Sequence, residues 1–310
     1  MLEGITLDQL RIFIAAAEER SFSAAGRRLH RAQSVVSQSL AGLEAQLGVI
    51  LFTREGRYPA LTEAGKILLA DARAVTGGMA VLKARARGME EGVEPELAAA
   101  IDVMFPMSVL TKTAAAFSAK FPLTPLRLYV EALGGVAQAV LERQCSLGVI
   151  GSLPLFAPSL VSERLLGVEM VFVAAPAHPL AQIRTGITGC DLAQQVQLVL
   201  TDRTALSRGQ EFRVLSPRTW RLADLGAKHA FLLAGLGWGG MPLEMVQRDL
   251  AEGTLVELHM LDTPGREYMA MSASYRADTP PGPAGRWFIE QLRISAGEPH
   301  ITAASVLEVT

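Results

Sequence analysis

Four short polar side chains, Gln33, Ser34, Ser37 and Gln38, lie in the run RAQSVVSQSLAGLEAQLG. Val36, Leu40, Leu43 and Leu47 recur there at spacings of four, three and four, which predicts a helix over Gln33–Gln46 with one buried stripe. The opposite face carries Ser34, Ser37, Gln38 and Ala41. Residues this small let a helix approach another surface closely, and Gln and Ser can hydrogen-bond to base edges in a DNA groove. Periodicity alone does not decide this, because helix pairs with small residues also occur in all-α cores.

A second chemistry, anion binding, is suggested in the other half of the chain. Pro106, Met107 and Ser108 begin a helix after one strand, and Thr201, Asp202 and Arg203 follow another. At the ends of strands in an open α/β lobe, helix starts present free N–H groups and a positive dipole end to a crevice. Ser108 and Thr201 could bracket a carboxylate and Arg203 could pair with it. The plain alternatives are that Ser108 caps its helix and Arg203 is a solvated loop charge. Lys228 and His229 are weaker candidates, and Trp220 and Trp238 read as lobe core.

Other attractive patterns are set aside. Gly235, Gly237 and Gly240 satisfy G-x-G-x-x-G, but they follow a helix and precede Met241-Pro242, so a helix C-cap with close packing accounts for them better than a dinucleotide site. Cys145 and Cys190 have no activating motif, and they are too few for a disulfide framework. The five histidines show no metal-ligand spacing, and no nucleophile elbow or Walker loop is present. No cofactor, metal or enzymatic activity is expected.

Elements must position these groups. Phe22 as an apolar staple and Ser23 as N-cap predict a short helix over Ala24–Leu29, then a break of three or four residues before the Gln33 helix, making a helix-turn-helix. A first helix through Leu7, Leu10, Phe13, Ile14 and Ala17 should back it. LFTREGRYPALT reads as a hairpin with Arg54 and Arg57 flanking Glu55-Gly56 at its tip, which is a wing. Beyond it, Leu61, Leu68, Val75, Met79, Leu82, Ala86 and Met89 trace one long helix. Such a helix has no core of its own for that stripe, so Leu68, Val75, Met79 and Leu82 are expected to meet a second copy of the chain, the alternative being packing on their own domain.

The acidic EEGVEPE at 90–96 reads as a hinge. From Leu97 onward strands alternate with helices: LAAAIDV, PLRLYVE and LGVIG in one lobe, EMVFVAA, QLVLT, TWRLA and LVELHM in a second, and YMAMSASY with PAGRWFIEQLR closing the first. That alternation predicts an α/β fold with a largely parallel sheet, crossed between lobes near Val161 and Tyr268.

The 310-residue chain has a net charge of −2, but residues 1–88 hold 12 basic against 8 acidic side chains while the rest hold 17 against 23. The basic part is the helix-turn-helix part. No apolar run approaches the ~20 residues of a membrane span, and the first residues lack a signal peptide's pattern, so a cytoplasmic location is expected.

SFSAAGRRLH, QSVVSQSLAGLEAQLG, LFTREGR and LTEAG, in that order, closely resemble the N-terminal domain of LysR-type transcriptional regulators. VLERQCSLGVIG, APAHPLA, LAGLGWGGMP and DLAEGTLVEL resemble, more loosely, the family's effector domain. The resemblance implies an α/β chain with an all-α-rich N-terminal domain. Its parts would be a winged helix-turn-helix (1–61), a linker and dimerisation helix (62–89), a hinge (90–96) and a C-terminal tail (296–310). Between them lies a two-lobed, Rossmann-like domain of the type 2 periplasmic-binding-protein kind, with lobe I at 97–161 and 268–295 and lobe II at 162–267. It further implies that Gln33, Ser34, Ser37 and Gln38 face the major groove and that Arg31, Arg54 and Arg57 lie near phosphates or the minor groove. Ala32 departs from the Ser or Thr that usually caps the recognition helix, and Gly148 from a common Asp.

The reading is a DNA-binding regulator that forms a homodimer or homotetramer, is switched by a small effector, possibly a carboxylate, and acts with RNA polymerase. The alternative is a small-molecule binding protein or an enzyme on a bilobal fold, which would need an export signal or a catalytic constellation. A constitutive DNA-organising protein would leave the cleft without a task.

Overall fold

The computed structural model describes residues 4–53, 59–151, 159–206, 212–261 and 266–297. The chain divides into two compact units, Met1–Glu90 and Glu91–Thr310.

In the first unit, α1 (Leu7–Glu19) opens with a capping box in which Thr6 and Gln9 satisfy each other's backbone N–H. Helices α2 (Phe22–Arg28) and α3 (Gln33–Leu47) follow. Ser21, not Ser23, caps α2 by accepting from the Ala24 N–H, and Phe22 is the first helical residue, its ring edge-on to Phe52. The turn into α3 is tight: the Arg31 N–H donates to the Gly26 carbonyl at 2.8 Å, and a Cβ on Gly26 would stand 2.7 Å from the Arg31 carbonyl oxygen. His30 takes the left-handed conformation there, with φ 55°. Ile12, Phe13, Val36, Leu40, Leu43, Leu51 and Phe52 form the core of the unit.

The wing's base is the antiparallel pair β1 (Phe52–Thr53) and β2 (Ala60–Leu61). Glu44 on α3 holds it, its carboxylate accepting from the Leu51 and Phe52 N–H groups at 2.7 and 3.2 Å. Thr62 then caps α4 (Glu63–Glu90): its hydroxyl accepts from the Gly65 N–H at 2.9 Å and donates to the Ile50 carbonyl at 2.7 Å. Gly65 leaves room for that crossing, since a Cβ would lie 2.2 Å from the Leu51 carbonyl oxygen. The helix runs unbroken through Gly77-Gly78.

In the second unit, β3 (Leu97–Asp102), α5 (Met107–Lys120), β4 (Leu126–Glu131), α6 (Gly134–Leu141) and β5 (Leu147–Ile150) build one lobe, with β3 central and parallel to both neighbours. The chain then enters β6 (Leu160–Ala174), a strand of 15 residues that serves both lobes. Two short helices, η1 (Pro179–Gln182) and α7 (Gly189–Gln194), lead to β7 (Gln197–Leu200), β8 (Thr219–Leu222), α8 (Leu225–Leu233), β9 (Trp238–Pro242), α9 (Leu243–Glu252) and β10 (Val256–Glu257) of the second lobe. The return strand β11 (Glu267–Arg276) runs antiparallel to β6, and α10 (Pro283–Ala296) closes the first lobe. The strand order β4-β3-β5-β11-β6-β9-β7-β8 makes β6 and β11 the bridge. Their register shifts between Met271 and Ser272, opposite Leu165, which marks where one lobe gives way to the other.

Both expected crossing points lie within strands, Val161 in β6 and Tyr268 in β11. Two expectations change. A strand, β9, occupies the glycine-rich WGGMP: Cβ atoms on Gly237 and Gly239 would sit 2.6 and 2.7 Å from carbonyl oxygens of Val196 and Leu198, so only glycines let β9 lie this close to β7. The segment 90–96 is no free hinge at its far end, because the Glu94 carboxylate accepts from the Ala284 and Gly285 N–H groups at 2.9 and 3.0 Å and so caps α10.

Candidate functional site

Gln33, Ser34, Val35, Gln38 and Ala41 form the exposed face of α3, and Ser37 is half-buried beside them, while Val36, Leu40 and Leu43 are fully inside. The face expected to read bases is therefore open along its length. Ala32 occupies the N-cap of α3 and makes no side-chain hydrogen bond, so the positive helix start faces outward without a cap of its own. Arg31 pairs with Asp8 on α1 at 3.0 Å across an exposed surface. Arg54 and Arg57, at the wing tip, lie outside the described residues. Glu18 binds Arg73 and Arg28, which hold its carboxyl below the usual carboxylate range and tie α4 and α2 to α1.

The stripe on α4 divides. Leu68, half-buried, packs with Leu69 and Ala72 against the core of its own unit. Beyond it Val75 is 54% exposed and Leu82 60%, with Met79 half-buried, leaving an apolar row that nothing in the unit covers.

In the second unit a cavity of about 340 Å³ opens between the lobes, with Met104 and Leu133 from the first and Leu198, Leu200, Arg213 and Lys228 from the second. Lys228, on α8, is only 4% exposed, and its ammonium donates to the Gly240 carbonyl at 2.7 Å. Burial, with the Arg213 charge beside it, pushes its pKa down to about 8. Gly239 makes room for the stem, for a Cβ there would stand 3.1 Å from Lys228 Cε. Arg213 has φ 54°, lies 4.7 Å above the Phe172 ring and pairs with Glu267 at 3.1 Å. Gln197 sets that loop: its amide donates to the Arg213 carbonyl and its oxygen accepts from the Leu215 and Ser216 N–H groups. The cavity thus combines apolar walls with one buried cation and an ion pair, a chemistry suited to a compact anion with an apolar body.

None of the six expected effector residues lines that cavity. Pro106 is itself the N-cap of α5, and Ser108 is exposed in the first turn, neither capping it nor aimed at the cavity. Pro106 and Met107 line a second, apolar pocket of about 330 Å³ together with Leu225 and Met245. Thr201 is half-buried, its hydroxyl directed to the Asp202 carbonyl at 3.4 Å, and Arg203 is exposed. The Asp202 carboxylate accepts from the Gly134 N–H at 2.6 Å and from the Thr204 hydroxyl at 2.9 Å, so it acts as an anion rather than binding one. Lys228 was visible in the sequence only as a basic residue on a helix; Gln197 and Arg213 left no signal, since their roles depend on a loop folding back on β7.

Trp238 is fully buried, whereas Trp220 is 46% exposed and rests edge-on against Phe231, so only the first is core. His229 bonds Asp249 on α9 at 2.8 Å. Cys145 is buried, which with the Glu131 charge raises its thiol to about 11, and Cys190 is exposed on α7 in the other lobe. A thiol raised this far is a poor redox nucleophile at neutral pH. Among the described residues no three His, Cys, Asp or Glu side chains group as metal ligands, and no helix is long and apolar enough to cross a membrane.

Comparison with known proteins agrees with this layout. The family described as "Bacterial regulatory helix-turn-helix protein, lysR family" matches residues 7–66, and "LysR substrate binding domain" matches residues 90–296. An uncharacterized HTH-type transcriptional regulator, YeeY, of Escherichia coli strain K12 is 30% identical over 254 residues, covering 81% of this chain and 82% of its own. The HTH-type transcriptional activator AllS of Klebsiella pneumoniae is 28% identical over 253 residues, covering 80% and 93%. In fold, a mutant of Corynebacterium glutamicum OxyR superposes with a TM-score of 0.55 at 22% identity over 94% of this chain and 92% of that one. ArgP from Mycobacterium tuberculosis does so with a TM-score of 0.52 at 21% identity over 94% and 97%. The relatives are named as regulators and activators of transcription, not as enzymes. The chain belongs to the LysR family: it is a DNA-binding transcriptional regulator that joins a helix-turn-helix domain to an effector-binding domain.

Proposed function

We propose that this regulator reads its operator with Gln33, Ser34, Ser37 and Gln38 and responds to a small anionic effector seated against Lys228 in the cavity between the lobes. The observation that carries the effector reading is a lysine almost wholly buried in a mostly apolar cavity, where its ammonium donates to a neutral carbonyl and, among the described residues, pairs with no carboxylate. A carboxylate would give that ammonium a partner of opposite charge in a place of low dielectric, where such a pair is strong. Arg31, Arg54 and Arg57 serve the phosphates in this reading, and an exposed pair such as Arg31–Asp8, worth about 0.2–1 kcal/mol, yields readily to a phosphate. Pairing of chains along Val75, Met79 and Leu82 would set two heads at a fixed half-site spacing, beside RNA polymerase at a promoter.

Thermal melts of the full-length protein and of Lys228→Met, taken with a panel of small carboxylates and their neutral amides, test the effector site. A carboxylate should raise the melting temperature of the natural protein and not of Lys228→Met. Equal stabilisation of both proteins, or by the amides, would remove the anion from the reading. Light scattering tests assembly: the natural protein should be at least dimeric, and Val75→Asp with Leu82→Asp should reduce it to a monomer.

A further inference from the structure

The start of α6 in the first lobe is already filled, and by a side chain from the second. Asp202, just past the end of β7, places Oδ2 2.6 Å from the Gly134 N–H and 2.9 Å from the Thr204 hydroxyl. The fit is close from both sides. A Cβ on Gly134 would stand 2.4 Å from Thr204 Oγ1, 2.8 Å from Asp202 Oδ2 and 3.1 Å from Leu206 Cβ. Only glycine at 134 admits the loop that carries the carboxylate.

The first lobe is built to aim that amide. Leu133, the N-cap of α6, has φ 49° and ψ −121°, a conformation that residues with a β-carbon rarely adopt, and is held there while 7% exposed. Strain of this kind persists only where the surroundings over-determine it, and it turns the Gly134 N–H toward the other lobe. Leu133 also lines the cavity that holds Lys228. The contact between lobes and the cavity wall are therefore made by consecutive residues, Gly134 and Leu133.

We propose that Asp202 is an interlobe latch: its carboxylate, docked on the N-terminus of α6, holds the two lobes together when no effector is bound. Closure then does not require a ligand, and an effector entering beside Leu133 acts by strengthening or releasing a contact that already exists. A carboxylate on a helix start is a charge-assisted bond of the kind that withstands solvent, and here it joins a loop of the second lobe to a helix of the first. The regulatory consequence rests on the cavity being the effector site. The latch itself is measured with no effector present, so its failure would leave the Lys228 assignment standing.

Hydrogen–deuterium exchange on the full-length, ligand-free protein tests it. In Asp202→Ala, peptides covering 131–137 should exchange on the order of tenfold faster than in the natural protein. Asp202→Asn, which keeps an acceptor but not the charge, should recover part of the protection. Gly134→Ala should free the loop from the opposite side, raising exchange over 201–206 even though alanine favours the helix itself. Unchanged exchange at 131–137 in Asp202→Ala would overturn the proposal. So would a loss of protection that spreads through β3 and β5, because Asp202 would then support the fold of the first lobe rather than join it to the second.

Discussion

The DNA-reading head and the effector half solve different positioning problems with similar means. In the head, the side chains proposed to read bases sit on one helix whose other face is core, so a three-four periodicity places Gln33, Ser34 and Gln38 on the surface without reference to anything distant. In the effector half the groups that line the cavity converge from β7, the loop at Arg213, α8 and β11, and their meaning depends on what lies across a cleft. Local caps occur in both halves, Ser21 on α2 and Asp224 on α8, but only in the effector half, among the described residues, does a side chain such as Asp202 reach over to a helix start in another lobe.

The comparison is broken most severely at Gly65. Its Cβ would overlap the Leu51 carbonyl oxygen at 2.2 Å, so Gly65→Ala must push α4 off the wing and should cost on the order of 3 kcal/mol. Calorimetric melting should show this in the head's transition while that of the effector half stays in place. A smaller effect, with the fold intact, is expected from Ser37→Ala with Gln38→Ala: about 1–3 kcal/mol of base discrimination lost, read by footprinting on DNA selected with the natural protein. Protection of the same site at the same concentration would show that the face is not the reading face.

Glu94→Ala acts on the other side. Removing the carboxylate that caps α10 should lower the stability of the effector half by about 0.5–2 kcal/mol, with DNA affinity of the head unchanged, as denaturant melts and binding titrations would show.

A further effect carries a sign and is read as a slope against pH. Lys228 titrates near 8 in the folded protein and near 10.5 when free. Below pH 8 it is protonated in both states and the cost of burying the charge is present in full. Between about 8 and 10.5 the folded state gives up the proton first, so the natural protein should gain stability relative to Lys228→Met as pH rises through that window. Affinity for an anionic ligand should fall across the same window. A stability difference that stays flat with pH would mean the lysine is not buried in solution.

How much of this was legible follows from the same contrast. The helix-turn-helix, the wing's base and the long helix were readable because local periodicity and turn residues specify them. Within that region the N-cap was misplaced by two residues, since Ser21 and Ser23 are chemically equivalent and only the packing of Phe22 on Phe52 decides between them. The split of the α4 stripe was hidden for a related reason: Leu68 and Val75 look alike in sequence, but only Leu68 lies within reach of the core around Leu51. In the effector half the alternation of strands and helices was readable, but β9 was not, because its glycines resemble a loop until β7 is seen beside them. That Pro106, Met107, Ser108, Thr201, Asp202 and Arg203 stand outside the cavity walled by Lys228 is not legible in sequence, which shows that a helix begins at Gly134 but not that a carboxylate 68 positions later is seated there.

The central claim is that the two halves form one switch. The most direct measurement titrates DNA selected by the natural protein, with and without a saturating carboxylate that raises its melting temperature. The account predicts that the ligand shifts DNA affinity by about 5–150-fold, that DNA shifts ligand affinity by the same factor, and that neither shift appears in Lys228→Met. Tight binding of both partners by the natural protein with no change in either affinity would contradict it.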